Sequence, residues 1–147
     1  MITNQICFGS DHAGFQLKEE LKSRLKAISP EYVIHDVGCD SEGSVDYPDY
    51  AHELAQRISS GDISMGVLIC GSGNGVCICA NKHSGVRAAL CWNKEIASLA
   101  RLHNDANVIC IPARFLTADE AFAMLETFLK TSFEGGRHTR RKDKIEI

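Results

Sequence analysis

The chain has 147 residues, a formal charge of −3 and 44% hydrophobic residues. That suits one globular domain over residues 1–147, argues against a nucleic-acid binder, and leaves no apolar stretch long enough for a membrane span. The start, Met1-Ile2-Thr3-Asn4-Gln5, lacks the basic region and apolar core of a signal peptide, and seven cysteines scattered at 7, 39, 70, 77, 79, 91 and 110 give neither a disulfide scaffold nor a zinc-ligand spacing; the expected compartment is a reducing cytoplasm.

Strand-like runs alternate with helix-period segments. Gln5 to Gly9 reads as the first strand, and a helix follows with Leu17, Leu21, Leu25 and Ile28 on one stripe. Tyr32 to Val37 reads as the second strand, stopped by Gly38. The acidic stretch from Asp40 to Asp49 reads as a loop, and Pro48 starts a helix that turns Ala51, Leu54, Ala55 and Ile58 inward. Gly66 to Cys70 is the third strand, followed by a glycine-dense turn and a helix from about Val76 to Lys82. Val86 to Leu90 is the fourth strand, and the next helix aligns Ile96, Leu99 and Ala100. Asn107 to Ile111 is the fifth. Thr117-x-x-Glu120 forms a capping box before a helix with Ala121, Phe122, Leu125, Phe128 and Leu129 inward, ended by Gly135-Gly136. Residues 134–147 form a basic tail. Five strands each followed by a helix predict a parallel sheet with helices on both faces.

In such folds ligands bind beyond the carboxyl ends of the strands. Two of those ends carry suggestive chemistry: Ser10-Asp11-His12-Ala13-Gly14 and Cys70-Gly71-Ser72-Gly73-Asn74-Gly75. Glycines let the backbone approach a ligand closely. Amides at a helix start favour an anion there, and the same field makes a neighbouring thiol a better base. The loop is not a dinucleotide fingerprint, because its pattern is G-x-G-x-G and no acidic residue ends the fourth strand. Without a ligand it is a plain turn, and Cys70 a buried strand-end thiol. Asp11 suits a helix cap. His35 and His52 read as structural or solvated.

His103 ends a helix that runs back against the strands, so it belongs near the amino edge of the sheet while Cys70 belongs at the carboxyl edge. One site using both would need two subunits. The tail Arg137-His138-Thr139-Arg140-Arg141-Lys142 is either a solvated terminus or, if helical, a face carrying Arg137 and Arg141 toward a phosphate.

These pieces together resemble the type B ribose-5-phosphate isomerases, a family shared with galactose-6-phosphate and allose-6-phosphate isomerases. The matching stretches are Ser10 to Gly14, Asp46-Tyr47-Pro48-Asp49-Tyr50-Ala51, Cys70 to Gly75, Ala80-Asn81-Lys82, Ala100 to Asn107 and Gly135-Gly136-Arg137-His138-x-x-Arg141. They span nearly the whole chain in order. The resemblance implies a Rossmann-like three-layer α/β/α sandwich and isomerisation of a sugar phosphate through an enediolate, in the pentose phosphate pathway. It implies no metal and no redox cofactor. It puts the proton-abstracting base on Cys70, the ring-opening group on His103 and a proton relay on Ser72. Substrate contacts fall on Asp11, His12, Gly71, Ser72, Gly73, Asn74, Gly75, Asn104, Arg114, Arg137 and Arg141. Some members use a glutamate further along the loop in place of the cysteine; here Asn74 to Val76 holds no acid. The implied assembly is a homodimer with shared sites, with a dimer of dimers left open, and neither nucleic acid nor membrane as partner. A hexose-phosphate substrate stays open, as do a non-catalytic phosphate or nucleotide module and a thiol redox protein pairing Cys70 with Cys77.

Overall fold

The computed structural model describes residues 4–147. Its strands are β1 (Gln5–Ser10), β2 (Val33–Asp36), β3 (Met65–Cys70), β4 (Ala88–Leu90) and β5 (Val108–Pro112). Its helices are α1 (Phe15–Ile28), α2 (Tyr47–Ser59), α3 (Asn74–Ala80), α4 (Lys94–Asn104), α5 (Ala118–Lys130) and α6 (Arg137–Asp143). The strands form a single parallel sheet in the order β2-β1-β3-β5-β4.

The central strands β1, β3 and β5 are almost wholly buried because helices cover both faces. One layer packs α1, α4 and α5 on Phe8, Val67, Ile69, Ile109 and Ile111 through Leu21, Leu25, Ala97, Ala100, Phe122, Leu125 and Phe128. The other packs α2 and α3 on Cys7, Leu68, Val108 and Cys110 through Ala51, Leu54, Ala55, Ile58, Val76 and Ala80. This is the three-layer α/β/α sandwich that the alternating pattern predicts. Gly66 lets α2 close on β3: a Cβ there would lie 2.6 Å from Leu54 Cδ2.

Several local expectations shift. Ile28 ends α1 and is exposed, where the chain leaves the layer toward β2. In α4 the buried side chains are Ala97 and Ala100, with Leu99 only half-buried. The Thr117–Glu120 capping box forms as read. However, α5 stops at Lys130, and Gly135 and Gly136 instead lead into α6 with φ of 74° and 56°. The tail is therefore helical over Arg137–Asp143, and its His138 is buried. Asp11 caps a 3-10 turn at His12–Gly14, accepting from the Gly14 N–H at 3.1 Å, while α1 itself begins after Gly14.

Candidate active site

Register places three strand ends side by side. Ser10 pairs with Ile69 and Cys70 with Pro112, so Asp11, Cys70 and the segment leading to Arg114 share the carboxyl edge. From that edge the chain after β1 turns into α1 on one face, while the chain after β3 turns into α3 on the other. The crevice where neighbouring connections diverge is where parallel sheets bind ligands.

Cys70 ends β3 and is only 4% exposed. The Gly71–Gly75 loop wraps past it. The Gly71 carbonyl accepts from Arg114 N–H at 3.0 Å and the Gly73 carbonyl from Cys77 N–H at 3.3 Å. Ser72 Oγ accepts from Asn74 N–H at 3.3 Å. Gly73 takes φ of 74°, where a side chain would meet Leu90 Cδ1 at 2.6 Å. The helix after the loop begins at Asn74, two residues before the sequence expectation, so the loop is shorter and more of it is helix start. His12 Nδ1 accepts from Val45 N–H at 3.2 Å, which ties the acidic loop to the same edge.

Lys18 supports this edge from beneath and escaped the sequence reading, since a lysine on a helix reads as solvated. It is 1% exposed. Its Nζ donates to Asp36 Oδ2 at 2.6 Å, to the Cys39 carbonyl at 2.9 Å and to Glu19 at 3.0 Å. Cys39 N–H in turn donates to the Ser10 carbonyl. Burial pushes Asp36 up, but hydrogen bonds from Lys18, Lys22 and Gly38 N–H outweigh it and hold the carboxyl below its ordinary value. Tyr47, at the start of α2, lies against Gly75.

His103 and Asn104 close α4, where Asp105 adopts φ of 48° and is held by Arg101 and Arg87. Gly66 N–H donates to the Asn107 carbonyl, which fixes this end of α4 at the amino edge of the sheet. The six residues of β3 separate that edge from Cys70, about 17–20 Å. Arg137 and Arg141 share α6 beside α4, with both side chains exposed. The structure thus gathers Asp11, His12, Cys70 to Gly75 and Arg114 at one edge, and His103, Asn104, Arg137 and Arg141 at the other.

His103 stacks on His138, ring centroids 4.2 Å apart and planes 13° apart. Glu134 Oε2 lies 3.6 Å from His138 Nε2. Burial lowers the His138 pKa, joined by His103, Arg137 and Arg141 and opposed by Glu134. These three side chains bring donor atoms within 4.8 Å of one another. Face-to-face imidazoles direct their lone pairs in separate parallel planes, so a shared metal ion would require one ring to turn.

The remaining thiols differ from Cys70 in place. Burial raises Cys7 to about 11 and Cys91 to about 12, and pushes Cys110 well up. Cys77 is lowered by a hydrogen bond with Cys110. All seven cysteines are free.

Residues 6–145 match the ribose/galactose isomerase family model. The chain belongs to this family. It is 39% identical over 141 residues to ribose-5-phosphate isomerase B of Escherichia coli, covering 96% of this chain and 93% of that protein. It is 47% identical to a ribose 5-phosphate isomerase of Thermotoga maritima of known structure, with a TM-score of 0.92 and 97% of each chain covered. A ribose-5-phosphate isomerase B from Mycoplasma genitalium, solved with bound ribulose 5-phosphate, is 43% identical, with a TM-score of 0.90 over 96% of this chain and 93% of that one. Among the described residues no helix is long and apolar enough to cross a membrane.

Proposed function

We propose that this protein interconverts ribose 5-phosphate and ribulose 5-phosphate, as a single isomerase domain of the cytoplasmic pentose phosphate pathway. The observation that carries the reading is the near full-length likeness to type B isomerases, one of them holding ribulose 5-phosphate, in a chain that keeps a thiol at the strand end before the glycine loop. The bound pentose of that relative favours a five-carbon over a six-carbon sugar.

Ribose 5-phosphate is mainly a closed furanose. His103 moves a proton between the ring oxygen and the anomeric hydroxyl and so opens the ring. The Cys70 thiolate takes the proton from C2, and negative charge develops on the enediolate oxygens. Amides of Gly71 to Gly75 receive that charge; such donors are worth roughly 3–4 kcal/mol each where measured. Ser72 relays a proton between O1 and O2, and Cys70 returns its proton at C1. Asp11, His12 and Asn104 hold sugar hydroxyls. Arg114, Arg137 and Arg141 hold the phosphate and thereby fix the reacting carbons at the base.

The separation of Cys70 from His103 supports a homodimer. A two-fold partner brings its own His103 over Cys70, and symmetry then builds two equivalent sites.

The test is an isomerase assay of the purified protein with ribose 5-phosphate, ribulose 5-phosphate, allose 6-phosphate and galactose 6-phosphate. Turnover of the pentose pair well above that of both hexose phosphates is expected. Preference for a hexose phosphate, or none for any sugar phosphate, would overturn the reading.

A further inference from the structure

We infer that His138 is a positioning residue for His103, holding the ring-opening imidazole in one plane by stacking face to face against it. The inference rests on the reading of His103 as the ring-opening group.

His103 sits at the last turn of α4 and is half-buried. Such a side chain turns about two torsions, and a group that passes a proton between two substrate oxygens needs one ring plane. The neighbouring imidazole supplies a wall at 4.2 Å, within 13° of parallel. That wall is itself fixed. His138 is 5% exposed, and its N–H donates to the Gly135 carbonyl at 3.0 Å. Glu134 N–H donates to the Leu102 carbonyl at 3.1 Å, which ties the segment ahead of α6 to the end of α4.

The burial of His138 is not explained by its own polar atoms. Nε2 has no hydrogen-bond partner among the described residues, and Glu134 at 3.6 Å stands too far to serve. A buried polar atom without a partner is costly, and an apolar ring would fill the same space at lower cost. What the ring provides is its face, and that face is against His103.

The claim separates two variants. His138→Ala removes the wall; His138→Phe keeps a flat ring and removes the unpartnered nitrogen. The measurement is the steady rate of ribose 5-phosphate consumption against enzyme concentration. An enzyme that opens the ring gives a rate that rises in proportion to enzyme. An enzyme that has lost ring opening draws only on the open-chain form, so its rate levels off at the spontaneous opening rate of the sugar. His138→Ala should lose about tenfold to a hundredfold in turnover and level off, as His103→Ala should. His138→Phe should stay proportional, keep most of the turnover and melt no lower than the parent.

Proportional kinetics in His138→Ala at any activity would reduce His138 to a packing residue and overturn the inference. Levelling off in a folded His138→Phe would show that stacking does not suffice and would also overturn it. If His138→Ala fails to fold, His138→Leu, which fills the space without a flat ring, takes its place: levelling off is expected, and proportional kinetics would overturn the inference. An inactive parent protein would instead refute the isomerase reading, and a proportional His103→Ala would refute the role of His103.

Discussion

Tyr47 lies so close to Gly75 that a Cβ added to the glycine would stand 2.5 Å from Tyr47 Cε2 and 2.6 Å from Cζ. The last glycine of the loop is therefore bound to be a glycine while that ring is in place. A side chain at Gly75 would displace that ring from the loop. Gly75→Ala should destabilise the fold by about 1–3 kcal/mol and reduce turnover. Adding Tyr47→Ala should recover part of both losses, because the two residues are coupled. Thermal melting and kcat of the two single variants and the double variant check this; strictly additive losses would mean that the ring and the loop do not constrain each other.

Cys70→Ser should retain the fold and lose about 10²- to 10⁴-fold in kcat, the usual range for removing a general base. Substrate binding should change little, since the loop amides and arginines remain. Single-turnover kinetics with ribose 5-phosphate would show it, and a variant with near-normal kcat would remove Cys70 from the chemistry. Alkylation offers an independent view of the other thiols. Cys77 should react before Cys7, Cys91 and Cys110, because burial holds those three as thiols while hydrogen bonding lowers Cys77; peptide mass spectrometry after brief treatment reads the order.

Arg137→Ala and Arg141→Ala should raise KM about tenfold to a hundredfold each, the equivalent of about 1.5–3 kcal/mol for a lost charged hydrogen bond. Their effect on kcat should be smaller. Unchanged saturation in both variants would leave α6 without a role in phosphate capture.

Lys18 anchors the carboxyl edge through Asp36 and the Cys39 carbonyl. Lys18→Ala should cost about 3 kcal/mol, the lower end for a broken buried pair, because Lys22 still covers Asp36. Asp36 has a folded pKa below its ordinary 3.8. Its contribution to stability is thus fully present above about pH 4 and is lost as the pH falls through the folded value. Asp36→Asn should flatten stability against pH on the acid side, measured by denaturant melts between neutral pH and pH 3.

The sheet and the glycine loop at its carboxyl edge were legible in the sequence because their signals are local. Val67 to Ile69 is an apolar run, the Gly71, Gly73 and Gly75 alternation marks the turn, and Thr117 with Glu120 forms its cap from neighbours in the chain. Strand order was not legible: β5 enters between β3 and β4, and nothing local to Val108–Pro112 says which neighbours it takes. Lys18 was missed because only the tertiary fold brings Asp36 and the Cys39 carbonyl to it across 18 and 21 residues. The tail has no apolar stripe, so α6 gave no helical signal. Its one buried side chain is His138, stacked on His103, a contact that no spacing in the chain announces.

The opposite-edge placement of Cys70 and His103 makes subunit complementation the most direct test of the account. Inactive Cys70→Ala chains and His103→Ala chains, whose own turnover is capped by spontaneous ring opening, are mixed in equal amounts and allowed to exchange subunits, and the ribose 5-phosphate turnover that stays proportional to enzyme is measured. Half of the randomly formed dimers are mixed, and each mixed dimer has one intact site of its two, so recovery to about a quarter of parental activity is expected. No recovery after demonstrated exchange, or full activity from a monomer, would contradict a site shared between subunits.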